Sequence, residues 1–404
     1  MNILVLTPYA PWPPYGGGTM RMFQLIRGLT ATHQVTSLSF VTADVDQEQL
    51  RRAMAPTTVL TVMGPRARNL LQRGVQTVLH PWPDMALRNY DATYASALTA
   101  LLKRQSFDVV VAFSIEMSPY LSIARSHGIA TVFDQFNAEF VIQKRAFETD
   151  INQPKRWHAA AYSFVQWQKL RLFERTMMNQ ADVVTVVSPD DATTLRALNP
   201  AVTPVVVPNG VDTRYFDRGT VSAHPFVRPT IVFSGTLDFR ANVDALHWMV
   251  NEVMPLVHTQ VTESMLIAVG RRPHKSLLAL QASGALALTG EIADTRPYLC
   301  GAHVYVVPMR IGGGVRLKVL EAMSLMVPVV STSMGLEGIE GIRPEYAKVA
   351  DTAADMANAI VATLDKAPDT VPARNFVIDH YDWQVIVPRF VRAVHQAAQH
   401  TTKR

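Results

Sequence analysis

A single cysteine, Cys300, stands in 404 residues. The chain therefore has no internal disulfide and no cysteine-built zinc site. A reducing compartment suits such a protein, and Cys300 reads as a small core residue rather than a nucleophile. Nowhere do 18 apolar residues run together, so no spanning helix is expected. The opening Met1-Asn2-Ile3-Leu4-Val5-Leu6-Thr7-Pro8 has no basic residues before its apolar run and no small-residue cleavage signal. It reads as a first strand, not a signal peptide. His-Glu-x-x-His, Cys-x-x-Cys and Gly-x-Ser-x-Gly are all missing, and the histidines lack ligand spacing. Zinc-protease, thiol-redox and serine-hydrolase chemistry fall away, and no metal is expected. Basic stripes and aromatic RNA-binding motifs are absent too, so nucleic acid is not an expected partner.

What is present is core material: 48% of residues are apolar and 18% charged. The length suits two domains. A net charge of +5 permits an anionic partner without choosing one. Short runs of branched apolar residues alternate with stretches of helical period. Strands are expected at Ile3–Thr7, Val35–Phe40, Thr58–Val62, Asp108–Phe113, Ala130–Phe133, Val183–Val187 and Pro204–Val207. The second half repeats the plan at Thr230–Phe233, Met265–Val269, Ala285–Leu288, Val304–Val307 and Pro328–Ser331. Val243, Leu246, Val250, Val253 and Val257 form one stripe of a helix expected over 242–258. Alternation of this kind predicts two doubly wound α/β domains, with ligands beyond the carboxyl ends of the strands. The first domain is expected over 1–215 and the second over 230–380. The aperiodic 216–229, with prolines and a glycine, reads as the linker. A last helical stretch covers 381–404.

Several strand ends carry chemistry. Gly16-Gly17-Gly18 follows the first strand and opens a helix, where three glycines permit unusual φ values and close backbone approach to an anionic or sugar-like ligand. A plain flexible turn is the alternative. Arg310-Ile311-Gly312-Gly313-Gly314-Val315-Arg316-Leu317-Lys318-Val319-Leu320-Glu321 runs from a strand through three glycines into a helix with two cations and a carboxylate. Open amides and cations suit a phosphorylated ligand. Lys318 and Glu321 lie about 60° apart around the helix and can face one ligand, or simply pair with each other. Arg316 lies roughly 140° from Glu321. Gly235 with Arg240, and Gly270 with Arg271 and Arg272, sit at two further strand ends and complete a cationic rim. In the first half Asp134, Asn137 and Glu139 stand where they can line a crevice, with a turn bonded to its own backbone as the alternative for Asp134. Between Lys144 and Met178, seven basic and three acidic residues are interspersed with aromatics. Such a stretch can lie on an anionic membrane surface, or be an ordinary crossover helix.

The block from Val304 to Thr332 closely resembles the donor-binding segment of family-4 retaining glycosyltransferases. Val187-Ser188, Pro208-Asn209-Gly210-Val211-Asp212 with Phe216, Gly235 with Asn242, and Gly290-Glu291-Ile292-Ala293-Asp294 match that family in type and order. The resemblance implies a GT-B fold, two Rossmann-like domains facing across a deep cleft, with the acceptor on the first and a nucleotide-sugar donor on the second. It implies a ribose contact for Glu321, diphosphate contacts for Lys318 and for Arg240 or Arg271, and donor contacts from the backbone of Gly17, Gly18, Gly235 and Gly312 to Arg316. The 381–404 helix is expected to pack back on the first domain. A cytoplasmic transferase without a metal cofactor follows, its acceptor a glycan, a lipid-linked sugar or a polysaccharide precursor, with peripheral membrane contact allowed. Two positions depart from the family pattern. Gly313 stands where the first glutamate of a Glu-x7-Glu pair would be, as in the branch with a Gly-Gly-Gly-x-Arg-Leu-Lys loop. Phe136 stands where a loop histidine is usual. The second departure leaves Asp134, Asn137 or Glu139 to assist transfer, with Lys318, Asp134 and Arg240 as the catalytic candidates, and it keeps a non-catalytic nucleotide-sugar-binding protein open beside the transferase. A same-fold epimerase or phosphorylase remains a further alternative.

Overall fold

The computed structural model describes residues 1–65, 67–312 and 314–401. The chain divides into two compact units. Unit 1 comprises Met1–Asn209 and the chain from Gln384 on, and unit 2 comprises Gly210–Trp383.

Unit 1 is built on seven parallel strands: β1 (Asn2–Thr7), β2 (Gln34–Val41), β3 (Thr58–Met63), β4 (Val109–Phe113), β5 (Ala130–Gln135), β6 (Val183–Val186) and β7 (Val205–Val206). Their order is β3-β2-β1-β4-β5-β6-β7. The central strands are apolar on both faces because helices cover both sides. Ile3 to Leu6 and Val109 to Phe113 are fully buried, each side chain larger than alanine worth about 1.5–3 kcal/mol relative to exposure. Strand order reverses between β1 and β4, and the crevice beyond that switch point is where this architecture binds ligands.

Unit 2 repeats the design with β8 (Thr230–Ser234), β9 (Met265–Val269), β10 (Ala287–Leu288), β11 (Val304–Val307), β12 (Val329–Ser331) and β13 (Lys348–Val349). The order is β10-β9-β8-β11-β12-β13, all parallel. Its switch point falls between β8 and β11, so the loops opening at Gly235 and at Pro308 flank it. β13 escapes a periodicity reading because two residues carry no period.

The helix expected over 242–258 is broken. It runs Arg240–Trp248, widens into a π turn over Met249–Val253, and resumes at Met254–His258. Pro255 has no N–H to offer and its ring crowds the preceding turn, which widens the ladder there. The apolar stripe survives the break, with Leu246, Val253 and Val257 fully buried.

The segment expected as a linker over 216–229 is laid onto unit 2. His224 stacks on Tyr298 with ring centroids 4.6 Å apart, and its amide donates to Pro297 O at 2.9 Å. Ring contacts rather than a regular element hold it, so its sequence has no period. The division between the units falls instead at Asn209–Gly210. The last helix, Trp383–Thr401, buries Ile386, Phe390, Val394 and Ala397 in unit 1, where Phe390 stacks on Phe113 at 5.9 Å. Residues 402–404 of the expected helical stretch lie outside the described residues.

Candidate functional site

At the switch point of unit 2, Lys318 rises from the helix Leu317–Ser324 toward the end of β8. Its Nζ donates to Ser234 O at 3.1 Å and to Asn242 Oδ1 at 3.5 Å, and lies 4.0 Å from the centre of the Phe233 ring. An ammonium carries three N–H donors, and one good and one long acceptor leave its charge poorly compensated. Burial, with the Arg316 charge adding to it and Glu321 opposing, lowers its pKa to about 7. Glu321, one turn on, is half-buried, and burial raises its carboxyl to about 7 against the pull of Lys318. The two form no ion pair, and no described residue is within hydrogen-bonding or ion-pairing distance of the Glu321 carboxylate. The simple surface salt bridge is therefore not what the structure contains.

The loop before this helix differs from expectation. The helix begins at Leu317, and Arg316 caps it without a side-chain hydrogen bond. Gly312 and Gly314 hold the preceding loop at φ of 112° and 80°. Val315 packs against the core beside them, and Arg316 Nη1 donates to Gly314 O at 2.6 Å. Gly313 lies outside the described residues. Gly235 and Gly270, at the ends of β8 and β9, are pressed together: a Cβ on Gly270 would fall 1.8 Å from Gly235 O. Arg240 and Arg271 are exposed at these same strand ends. Arg272 instead pairs with Asp238 at 3.2 Å, and Arg310 with Asp244 at 3.0 Å.

Sequence reasoning missed an aromatic and charged group near Glu321. The Arg296 guanidinium lies 3.6 Å over the Tyr215 ring and forks onto Asp294 at 2.7–3.0 Å. The Tyr305 hydroxyl meets Ser234 Oγ at 2.6 Å. Burial raises both phenols, and the Glu321 charge contributes to each shift. Tyr215 and Asp294 sit in or beside two segments already matched in type, Pro208 to Asp212 and Gly290 to Asp294. That adjacency was the available signal.

Unit 1 corrects two readings. Asp134 is fully buried and forks onto Arg21 at 2.6 and 2.7 Å, with the Thr185 hydroxyl as a further donor. Arg21 in turn donates to Val207 O at 2.9 Å, Pro208 O at 3.2 Å and Asn209 Oδ1 at 3.1 Å. Asp134 is thus neither an open catalytic carboxylate nor a turn residue. It is the anchor, through Arg21, of the Pro208-Asn209 corner. Gly16, Gly17 and Gly18 do not supply left-handed φ values either. They open the helix Gly17–Thr30, and Gly18 supplies space: a Cβ there would lie 2.5 Å from the Tyr9 hydroxyl and 3.1 Å from the Phe136 ring.

The remaining unit 1 residues collect carboxylates at the ends of β4, β5 and β6. Asn137 Nδ2 donates to Glu139 Oε1 at 3.0 Å. Burial, aided by the charges of Glu116 and Asp191, raises Glu139 to about 7. Tyr9 is pushed up to about 12 by burial and by Glu116 and Glu139. Glu174 is fully buried, accepts from Gln135 Nε2 at 2.6 Å and Phe140 N at 2.7 Å, and is held well above the carboxylate range by burial. Glu116 and Glu174 come from segments far apart in sequence, and no local motif marks them. Among the described residues, no group of three or more His, Cys, Asp or Glu is placed to hold a metal ion. Nor is any described helix long and apolar enough to cross a membrane.

Two family models match the chain, "Glycosyltransferase Family 4" over residues 15–215 and "Glycosyl transferases group 1" over 228–366. A curated relative, an uncharacterized 44.6 kDa protein in the cps region of Klebsiella pneumoniae, is 30% identical over 116 residues. That match covers 27% of this chain and 30% of the relative's length. Among solved structures, Anabaena Alr3699/HepE in complex with UDP and glucose aligns at a TM-score of 0.65 with 11% identity, covering 97% of this chain and 99% of that one. A TarM variant of S. aureus, in a complex that includes UDP, aligns at 0.68 with 12% identity, covering 98% and 100%. WaaG, a glycosyltransferase involved in lipopolysaccharide biosynthesis, aligns at 0.63 with 14% identity, covering 97% and 99%.

Proposed function

From a chain that belongs to the family 4, group 1 glycosyltransferases and has their GT-B fold, we propose a retaining transferase that moves a sugar from a nucleotide-diphosphate donor to a lipid-linked or polysaccharide-precursor acceptor. The observation that carries this reading is the Lys318 ammonium, poorly compensated at the unit 2 switch point, with the Glu321 carboxylate, unpartnered among the described residues, one turn away. A diphosphate beside Lys318 supplies the acceptors the ammonium lacks and draws a full proton onto it. Arg316, Arg240 and Arg271, with the uncapped start of the Leu317–Ser324 helix, share the remaining charge, a load that otherwise falls to a metal. Glu321 accepts from the ribose hydroxyls. The backbone of Gly235, Gly312, Gly314 and Val315 is assigned to the phosphates.

Chemically, the bond from the sugar's anomeric carbon to the phosphate oxygen breaks and the acceptor oxygen bonds on the same face. The departing phosphate oxygen takes the acceptor's proton. Charge grows on the leaving diphosphate during this step, so Lys318 stabilises the transition state more than the ground state. Acceptor recognition is assigned to unit 1, through Asn137 and Glu139. UDP, present in the HepE and TarM structures, is the first nucleotide to try. The cps-region relative and WaaG, involved in lipopolysaccharide biosynthesis, support a polysaccharide or lipid-linked acceptor.

Thermal shift against a panel of nucleotides and nucleotide sugars, followed by product analysis with the stabilising donor, tests the reading. Stabilisation and transfer that both vanish in Lys318→Ala and Glu321→Ala support it. Phe136 favours the second reading, a binding protein, which predicts stabilisation by donor with neither transfer nor slow hydrolysis.

A further inference from the structure

Two arginines of unit 2 grip consecutive carbonyls in the turn that carries Tyr215. That turn, 212–217, belongs to no helix or strand. Phe216 N donates to Asp212 O at 2.8 Å, and the Asp212 carboxylate accepts from Tyr215 N at 3.0 Å. Such local bonds give the turn its shape, and side chains from elsewhere decide where it stands. Arg296 donates to Tyr215 O at 2.7 Å and lays its guanidinium over the ring of the same residue. Arg374, from the helix Val371–Tyr381, donates to Phe216 O at 3.2 Å and pairs with Asp217 at 3.1 Å. Arg374 Nη1 also donates to Ser324 O, the last carbonyl of the Leu317–Ser324 helix. Ser324 Oγ closes the junction by donating to Phe216 O at 2.8 Å. A cation here satisfies a carbonyl without an intrahelical partner and suits the negative end of the helix dipole. The Arg374 side chain is only 16% exposed. It joins the helix that carries Glu321 to the turn that carries Tyr215.

We propose that Arg374 is a positioning residue for the nucleoside half of the donor: by locking the Tyr215 turn to the C-terminal end of the Leu317–Ser324 helix, it fixes the Tyr215 ring relative to the Glu321 carboxylate. The proposal rests on the transferase reading, which supplies the nucleotide. Both carbonyls that Arg374 holds belong to segments with a side chain at this site, and the Glu321 charge reaches the Tyr215 phenol. Only a guanidinium suits the junction, because its planar fork can serve two carbonyls and a carboxylate at once, whereas an ammonium is a point charge. Lys318 stands at the other end of the same helix, where Ser234 O and Asn242 Oδ1 hold it independently. Loosening the junction therefore disturbs the contacts assigned to the nucleoside and leaves those assigned to the diphosphate. That separation distinguishes positioning from plain support of the fold.

Titration calorimetry of the full chain with UDP, GDP and dTDP, well below the melting temperature, tests it. KM and kcat are then measured with the sugar donor of whichever nucleotide binds. Arg374→Lys keeps the charge and loses the fork. It should raise Kd and KM by at least about tenfold while kcat stays within about threefold. Asp217→Asn frees one arm of Arg374 without touching the helix and should move KM the same way by a smaller factor; it carries the test alone if Arg374→Lys does not fold. On a Tyr215→Ala background, Arg374→Lys should weaken binding by a smaller factor than in the unaltered chain, because part of what it positions is already gone. A purely structural arginine predicts a lower melting temperature and a smaller binding-competent fraction, with Kd and KM of that fraction unchanged. That result overturns the proposal, as does an equal loss on both backgrounds. Binding of none of the three nucleotides by the unaltered chain would sink the transferase reading and this role with it, whereas binding with unchanged Kd in both variants sinks only the role of Arg374.

Discussion

Unit 1 orders its strands β3-β2-β1-β4-β5-β6-β7 and unit 2 orders its own β10-β9-β8-β11-β12-β13. The same reversal thus creates the same kind of crevice in each. Their chemistry there is opposite in sign. Unit 1 surrounds its strand ends with Glu116, Glu139, Glu174 and Asp191, and its fully buried ion pair, Asp134 with Arg21, is fully bonded. Unit 2 surrounds its own with Lys318, Arg316, Arg240 and Arg271, and leaves Lys318 poorly compensated and Glu321 without a partner among the described residues. The topology supplies the place and the side chains supply the sign. A saturated pair serves stability, and an unsaturated one is available to a ligand.

Removing a charge from each unit gives the sharpest contrast. Asp134→Ala leaves the Arg21 guanidinium buried without its carboxylate and should cost about 3–5 kcal/mol, read as a large drop in melting temperature with the Pro208-Asn209 corner loosened. Lys318→Ala removes an ammonium that burial already disfavours, so its melting temperature should hardly fall. In its place, UDP stabilisation should disappear and transfer should fall by at least about 100-fold. The comparison breaks if the two variants exchange these phenotypes.

That contrast also marks what could be read in advance. Twelve expected strands coincide with β1 to β12 because a doubly covered strand needs a continuous branched apolar run, and such runs are visible one residue at a time. Lys318 and Glu321 were legible because helical spacing puts them on one face. Asp134 was misread: its partner Arg21 is 113 positions away, and a carboxylate at a strand end looks the same in sequence whether it is open or sealed. Arg374 escaped notice for the same reason, since the carbonyls it holds, Phe216 O and Ser324 O, are 158 and 50 positions away.

Titration sharpens the difference with a smaller effect. Lys318 is lowered from its ordinary 10.5 to about 7, so its contribution to stability is present above 10.5 and lost as pH falls through 7. Glu139 and Glu321 are raised from 4.5 to about 7, so theirs is present below 4.5 and lost as pH rises through 7. Lys318→Met should therefore flatten the melting profile above neutrality, and Glu139→Gln or Glu321→Gln should flatten it below, each by a few degrees, about 2–4 °C per kcal/mol. Binding of UDP should take up a proton at Lys318. Its affinity should then fall by up to about tenfold per pH unit above 7, a slope that calorimetry in buffers of different ionisation enthalpy can follow and that Lys318→Met should erase.

Phe136 offers the mildest perturbation and separates the two functional readings. Its ring fills the space that Gly18 leaves open and lies 6.5 Å from Phe113, so an imidazole of smaller volume fits at a cost within about 1.5 kcal/mol. In Phe136→His the nearby charges of Glu116 and Glu139, which add to burial in holding the Tyr9 hydroxyl near 12, favour the protonated ring and draw Glu139 toward its ionised form. If unit 1 already recognises the acceptor through Asn137 and Glu139, the new ring adds little, and transfer should change by less than about tenfold with UDP binding untouched. A chain that gives no transfer as it stands and gains it by 100-fold or more in Phe136→His would show instead that the cationic end of unit 2 binds donor while the phenyl ring of unit 1 keeps the chemistry switched off.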